Sequence, residues 1–306
     1  MADRFSERQA ELRQLAAERG ALILSHNYQR LEIQQAADFV GDSLELARKA
    51  AATEAETILF CGVHFMAETA HILAPHKTVL MPDPRAGCPM ANMVTPERLR
   101  ALKAQHPGTP VVAYVNTSAA VKAETDVCCT SSNCVEILGR FPRDQEIIFV
   151  PDRNLGDYVR RLTGRENMII WDGYCHVHGD IRPEDIVAGR EQHPDAVVMA
   201  HPECPPEVLA LADAIASTSG MLRRPETDPA QTFIVATELG LIERLKMLYP
   251  GRTFVAASRR AYCPNMKLTT LEKAIAALDE GINEITVPPT IRERALRAVE
   301  RMVEVH

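Results

Sequence analysis

The chain has 306 residues, 46% of them hydrophobic and 25% charged, which is typical of a globular enzyme with two or three domains. Its formal net charge of −7 argues against non-specific binding to nucleic acid. We expect a cytoplasmic protein that does not bind membranes, because its charged N-terminal residues do not resemble a secretory signal and no apolar run reaches membrane-spanning length. The eight cysteines are then expected to be reduced rather than paired in a disulfide framework.

The first predicted element is a helix. Ser6 and Gln9 form a capping-box pattern, which places the start of the helix at Ser6. Leu12 and Ala16 lie on one apolar face, and Gly20 suits the position just beyond the C-terminus.

Short apolar segments then alternate with helical patterns to the end of the chain. The predicted strands are ALILSH, TILF, KTVLM, PVVAYV, EIIFV, MIIW, AVVMA, TFIVA and TFVAA. Strands that are apolar throughout and separated by helices indicate a parallel α/β architecture.

The sequence also repeats itself. The motif QHP at 105–107 recurs at 192–194, a shift of 87 residues. Cys88, Cys175 and Cys263 are separated by 87 and 88 residues, and each follows a predicted strand. Such a period predicts three homologous α/β units. We place them at 1–91, 92–178 and 179–306, the last with a C-terminal helical tail.

Polar residues recur at the same period. They are His26, Tyr114 and His201; Tyr28, Asn116 and Glu203; and Ser43, Ser131 and Thr218. Ligands of parallel α/β units lie at the carboxyl ends of the strands. Three units around a pseudo-threefold axis would therefore direct these residues, and the three cysteines, at one centre. Ser43, Ser131 and Thr218 precede helical segments, where we expect helix capping with anion binding as an additional role.

The recurring cysteines favour a metal site over buried thiols inherited by each unit. Three thiolates leave one position open on a catalytic zinc ion, or leave one iron of a [4Fe–4S] cluster free to act as a Lewis acid. Their spacing does not distinguish these metals, and His176 or His178 could close the site as a fourth ligand. We interpret the other five cysteines as structural, and Asp152 to Asn154 as a turn with a helix cap.

Short motifs along nearly the whole chain resemble the quinolinate synthase family of bacterial NAD biosynthesis. They are SHNYQ (25–29), ADFVGDSLELARKA (37–50), FMAE (65–68), CPMANM (88–93), AYVNTSA (113–119), TSSN (130–133), PDRNLG (151–156), CHVH (175–178), HPEC (201–204), STSGM (217–221) and CPNMK (263–267). The resemblance implies three α/β/α domains around a central active site. It also implies an enzyme that condenses iminoaspartate with dihydroxyacetone phosphate to quinolinate, releasing phosphate and two waters.

The resemblance further implies a role for each recurring residue. Cys88, Cys175 and Cys263 would hold an oxygen-sensitive [4Fe–4S] cluster. Tyr28 and Glu203 would be acid–base residues, with His178 near the cluster. The implied substrate-binding residues are His26, Ser43, Tyr114, Asn116, Ser131, His201 and Thr218. An aspartate-oxidising enzyme that supplies iminoaspartate is an implied transient partner. Some relatives carry CxxCxxC at the third ligand, whereas YCPNMK here offers one cysteine and hence no thiol switch.

Burial of Glu203 is expected to raise its pKa into a range suited to moving protons. Three other functions remain open. An iron–sulfur sensor would use His178 as a fourth ligand, a zinc hydrolase would bind about one zinc per chain, and a small-molecule binding protein would keep its function without the cysteines.

Overall fold

The computed structural model describes residues 2–305, and side chains from residue 5 onward. The first unit consists of α1 (Ala2–Glu18), β1 (Ala21–His26), α2 (Leu31–Ala36), β2 (Phe39–Gly41), α3 (Ser43–Ala52), β3 (Thr57–Cys61), α4 (His64–Leu73) and β4 (Thr78–Leu80). The second consists of α5 (Pro96–Gln105), β5 (Val111–Tyr114), α6 (Ala119–Lys122), β6 (Val127–Cys129), α7 (Cys134–Gly139), β7 (Ile147–Val150), α8 (Arg153–Thr163) and β8 (Met168–Ile170).

The third unit has the same alternation. Helix α9 (His176–Gly179) lies across the predicted boundary, and after it come α10 (Pro183–Gln192), β9 (Val197–Ala200), α11 (Pro206–Leu209), β10 (Ala214–Ile215), α12 (Thr218–Thr227), β11 (Thr232–Ala236), α13 (Leu239–Leu248) and β12 (Thr253–Ala256). Two helices, α14 (Leu271–Glu280) and α15 (Pro289–Val303), follow it.

Each unit forms a four-stranded parallel sheet with the same strand order. The orders are β2-β1-β3-β4, β6-β5-β7-β8 and β10-β9-β11-β12. All residues of β5 and β7 are buried, because helices cover both faces of the sheet. The predicted α/β class with three homologous units is confirmed, and all nine predicted strands are present.

Three strands were not predicted: β2, β6 and β10. Each lies at one edge of its sheet, and the three strands contain three, three and two residues. Strands β4 and β8 are as short but lie in the predicted runs KTVLM and MIIW, whereas β2, β6 and β10 lie in the more polar segments DFVGD, DVCCT and DAIAS.

The prediction for the first helix was wrong at its start, because α1 begins at Ala2 rather than at Ser6. Its apolar face was predicted correctly. Leu12 and Ala16 are buried against α14 and the first sheet, and Gly20 has the left-handed φ of 59°.

The three units contact one another in a ring. Helix α4 contacts α6, α8 contacts α11, and α13 contacts α2, so each unit meets the next through equivalent elements. At the first interface Glu68 accepts a hydrogen bond from the Ala119 amide at 3.0 Å. At the second, Asn154 donates to the carbonyl of Glu203 at 2.9 Å. The ring brings the carboxyl ends of the three sheets together.

The last two helices pack away from the third sheet. Helix α14 packs on α1 and β3, and α15 packs on α4, α6 and β6. The unit boundaries at 91 and 178 remain a prediction. None of the helices within residues 2–305 combines the length and apolarity needed to cross a membrane.

Candidate active site

A single cavity of roughly 750 Å³, including its open mouth, lies where the three sheets converge. Strand β1 ends at His26, β5 ends at Tyr114, and His201 directly follows β9. All thirteen residues predicted for the site line this cavity. They are His26, Tyr28, Ser43, Cys88, Tyr114, Asn116, Ser131, Cys175, His178, His201, Glu203, Thr218 and Cys263.

The three cysteines lie in loops after β4, β8 and β12, one from each unit. Burial raises the pKa of each thiol, to about 12 for Cys88. Backbone N–H groups directed at the sulfurs act in the opposite direction because they stabilise the thiolate. These donors are Met90 and Ala91 for Cys88, His178 for Cys175, and Asn265 and Met266 for Cys263.

A continuous hydrogen-bonded chain links the predicted acid–base residues. The Tyr28 hydroxyl lies 2.6 Å from the Thr237 hydroxyl, which lies 2.9 Å from Nε2 of His178. Nδ1 of His178 lies 2.7 Å from Oε2 of Glu203. All four side chains are buried. Thr237 was not predicted, because it lies outside the threefold pattern and only the fold places it between Tyr28 and His178.

Other aromatic groups surround this chain. The His201 ring stacks on the His178 ring with centroids 4.7 Å apart, and its Nε2 lies 3.3 Å from the Ser131 hydroxyl. Burial lowers the pKa of His26 and of His201 to about 3, so both rings are neutral at neutral pH. Burial likewise raises the pKa of Tyr28 well above its usual value and keeps the phenol protonated.

The expectation of a raised pKa for Glu203 was wrong in direction. Burial alone would raise it, but the contacts with His178, His201 and the Tyr114 hydroxyl outweigh burial and lower the pKa to about 2. Glu203 is therefore a carboxylate at neutral pH, which is the form that can accept a proton.

The prediction that Ser43 and Thr218 cap helices was also wrong, because in each case the cap is the preceding residue. Ser43 and Thr218 are the first residues of α3 and α12, whose caps are Asp42 and Ser217. Asp42 accepts the amides of Leu44 and Glu45 at 3.0 Å. The hydroxyls of Ser43 and Thr218 are thus not used as helix caps, and both residues line the cavity.

Ser131 does not cap a helix either, because α7 begins at Cys134 and Asn133 precedes it. Asp152 is a helix cap as predicted, since Oδ1 accepts the Leu155 amide at 2.7 Å.

Sequence reasoning missed Glu238, which lines the cavity and lies 2.9 Å from Lys267. Its place directly before α13 was the one available signal.

One group of side chains lies close enough to bind a single metal ion. Among the described residues, the ligand atoms of Cys175, His178 and Glu203 all lie within 4.8 Å of one another. Cys88 and Cys263 line the same cavity but do not belong to this group. The cavity therefore contains two possible sets of metal ligands. Cys175, His178 and Glu203 could bind a single ion, whereas the thiols of Cys88, Cys175 and Cys263 are more widely spaced.

Comparison with known proteins gives a consistent result. A family model described as quinolinate synthetase A protein matches residues 10–304. A protein of Desulforudis audaxviator named quinolinate synthase is 54% identical over 294 residues, which is 96% of this chain and 97% of that protein. Proteins with the same name from Methanoregula boonei and Geobacter metallireducens are 51% and 50% identical over 295 residues, covering 96% of this chain and 97% and 96% of their own lengths.

Proposed function

The chain belongs to the quinolinate synthase family, and from that premise we propose that it condenses iminoaspartate with dihydroxyacetone phosphate to quinolinate. The reaction would release phosphate and two waters within de novo NAD biosynthesis. One observation carries the proposal beyond family membership. A cysteine from each unit and the Tyr28–Thr237–His178–Glu203 hydrogen-bonded chain face the same cavity.

The proposed cofactor is a [4Fe–4S] cluster held by Cys88, Cys175 and Cys263. Backbone N–H groups point at each sulfur, which favours thiolate ligands. A single tetrahedral zinc, with Zn–S distances of about 2.3 Å, would bring its sulfurs within roughly 3.8 Å of one another. The three thiols do not form a group within 4.8 Å, so they suit the larger cluster better. When bound, the cluster supplies an open iron as a Lewis acid for the oxygen that leaves.

The cavity would bind its anionic substrates without a positively charged side chain. Among the described residues that line it there is no lysine or arginine. Ser43 and Thr218 begin α3 and α12, where the positive end of each helix dipole favours phosphate and carboxylate. The neutral rings of His26 and His201 and the amide of Asn116 add hydrogen-bond donors. Ser131 and Tyr114 complete the proposed binding set.

Glu203 and Tyr28 would have opposite roles in proton transfer. Glu203 is ionised and would accept a proton from substrate, whereas Tyr28 is protonated and would donate one. His178 holds Glu203 through Nδ1 and receives the Thr237 hydroxyl at Nε2. Hydrogen bonds in this order can carry a proton between Tyr28 and Glu203 without exposing either group to water.

The same contacts argue against an iron–sulfur sensor in which His178 is the fourth protein ligand of the cluster. Both ring nitrogens of His178 have partners, so a metal bound by His178 would displace its contact with Glu203 or with Thr237. A zinc enzyme is the second candidate, favoured by the single-ion group of Cys175, His178 and Glu203. We retain as predictions a cytoplasmic location and transient contact with an aspartate-oxidising enzyme.

Metal analysis and an activity assay on protein purified without oxygen test the proposal. We expect a brown protein with about four irons and four sulfides per chain, and quinolinate formation from both substrates. Cys175→Ala should lose the cluster and the activity. Cys61→Ala removes a buried thiol outside the cavity and should keep both. A colourless protein with one zinc per chain would overturn the proposal in favour of the zinc enzyme.

A further inference from the structure

Two buried carboxylates hold the loops that carry two of the three cysteines. Asp152 precedes α8, and its Oδ1 accepts the Leu155 amide at 2.7 Å as an ordinary helix cap. Its second oxygen, Oδ2, accepts the amide of Cys175 at 3.3 Å. One oxygen is enough to cap the helix, so the second contact needs another explanation.

Glu238 has the same arrangement in the third unit. It precedes α13, and Oε2 accepts the Gly240 amide at 2.6 Å, whereas Oε1 accepts the amide of Cys263 at 3.1 Å. Lys267 lies 2.9 Å from Oε1, and its ammonium also donates to the backbone carbonyl of Tyr28. Glu238 is fully buried, so both of its oxygens are committed to these partners.

The first unit lacks this carboxylate, although its backbone is equivalent. In every unit the first amide of the helix donates to the carbonyl two residues before the cysteine. The pairs are His64 to Ala86 at 2.8 Å, Arg153 to Gly173 at 2.8 Å, and Leu239 to Ala261 at 2.9 Å. The residue before α4 is Val63, whose side chain cannot accept a hydrogen bond. The carboxylates are therefore additions at two of three equivalent positions.

The two additions occur in the units that also contact the backbone of an acid–base residue of the next unit. Asn154, two residues after Asp152, donates to the carbonyl of Glu203 at 2.9 Å. Lys267, paired with Glu238, donates to the carbonyl of Tyr28. Each carboxylate thus belongs to a network that ties one cysteine loop to the backbone of one acid–base residue.

We propose that Asp152 and Glu238 are positioning residues that fix the backbone amides of Cys175 and Cys263. They would thereby hold the Cys175 sulfur at a fixed position relative to Glu203, and the Cys263 sulfur at a fixed position relative to Tyr28. The inference rests on the proposed [4Fe–4S] site. A backbone amide held by a buried acceptor fixes the Cα–Cβ direction of its residue, and groups around metal ligands orient those ligands in this way.

Asp152→Asn and Glu238→Gln test the proposal with little change of shape. In Asp152→Asn the amide oxygen can still cap α8, whereas the new NH₂ group faces the Cys175 N–H and cannot accept it. Hydrogen–deuterium exchange on cluster-free protein measures the two cysteine amides directly. We expect exchange at Cys175 to rise about ten-fold in Asp152→Asn, and exchange at Cys263 to rise about ten-fold in Glu238→Gln. Neither variant should change exchange at Cys88.

Iron release to a chelator, measured without oxygen, tests the loaded protein. Each variant should release iron roughly ten-fold faster than the unsubstituted protein, in line with other groups that orient metal ligands. Thr95→Val removes the cap of α5, which accepts the Arg98 amide at 3.3 Å, and should leave the rate unchanged. Asp152 and Glu238 contact different cysteines. If one variant does not fold, the exchange and iron-release rates of the other variant still test the proposal.

Unchanged exchange at both cysteines would overturn the inference. So would equal loosening of Cys175 and Cys263 in each variant, because that indicates general destabilisation rather than local positioning. If the unsubstituted protein binds no cluster after reconstitution, the proposed function fails, while the exchange rates still decide the role of the two carboxylates.

Discussion

Glu203 shows how neighbours decide the chemistry of one residue. It is buried, yet His178 at 2.7 Å and the Tyr114 hydroxyl keep it ionised. Tyr28 is equally buried and has no opposing contact strong enough to lower its pKa. Two residues at equivalent positions of the repeat are thus an ionised carboxylate and a protonated phenol, because their environments differ.

Replacement of the Glu203 carboxylate tests its role as a base. We expect Glu203→Gln to lower kcat/KM for quinolinate formation by about 100-fold or more, because the amide cannot accept a proton. Iron and sulfide content should stay unchanged. Glu207→Gln, an exposed residue nearby, is the matched control. Full activity of Glu203→Gln with an intact cluster would show that Glu203 is not the base.

Thr237 tests the hydrogen-bonded chain itself. Thr237→Val keeps the shape of the side chain but removes the hydroxyl between Tyr28 and His178. We expect kcat to fall roughly ten-fold, while Thr237→Ser restores the hydroxyl and most of the activity. Steady-state kinetics at matched iron content measure the difference. Equal activity of the Val and Ser variants would exclude a proton path through Thr237.

At the scale of elements, the C-terminal helix α15 joins two units. It packs on α4 of the first unit and on α6 and β6 of the second. Its Arg294 lies 2.7 Å from Glu124, which also lies 2.8 Å from Arg100 of α5. Asn133 donates to the carbonyl of Met302 at 2.9 Å. Polar contacts thus fix the rotation and register of an apolar helix face.

The packing of α15 on the second unit is expected to depend on pH, because it involves the carboxyl group of Glu124. Burial opposes ionisation of Glu124, but hydrogen bonds from Arg294 and Arg100 outweigh it and lower its pKa. A carboxylate with a lowered folded-state pKa stabilises the fold above its unfolded pKa of about 4.3, and this stabilisation is lost as pH falls through the folded value.

We therefore expect Glu124→Gln to lower the free energy of unfolding by about 1 kcal/mol at pH 7, a modest value because both arginines are half exposed. The difference from the unsubstituted protein should vanish below the folded-state pKa of Glu124. Denaturant titration at several pH values measures it. Glu136→Gln, which breaks the exposed pair with Arg140, is the matched control. A difference that persists at the lowest pH would rule out ionisation as its source.

At the scale of the whole molecule, three sheets with one strand order enclose a site that none of them forms alone. Each contributes one cysteine, and the units meet through equivalent helices. A bound cluster would cross-link the three units at their common centre. Its binding free energy would then also stabilise the arrangement of the units.

Removal of the cluster should loosen this arrangement. We expect the loaded protein to melt at least about 3 °C above the cluster-free protein when both are heated without oxygen. Cys175→Ala should melt near the cluster-free protein whether or not reconstitution is attempted. Identical melting of the loaded and cluster-free forms would show that the cluster does not couple the units.

The sequence by itself determined the class of the fold, nine of the twelve strands and thirteen residues that line the cavity. Apolar runs such as IIFV at 147–150 are local, and the 87-residue period shows which positions are equivalent without any knowledge of contacts. Equivalent positions in equivalent units must occupy similar places, so the recurring cysteines and polar residues could be assigned to one centre.

Only the tertiary structure decided the features that depend on partners distant in sequence. The edge strands β2, β6 and β10 exist because a neighbouring strand pairs with them. Glu203 is ionised because His178 lies beside it, and Thr237 joins the hydrogen-bonded chain because β11 ends between Tyr28 and His178. Helices α14 and α15 pack on the first two units rather than on the sheet that precedes them. The physical reason is common to all of these features: burial, charge and pairing energies depend on what lies nearby in space, and a single sequence specifies that only through the complete fold.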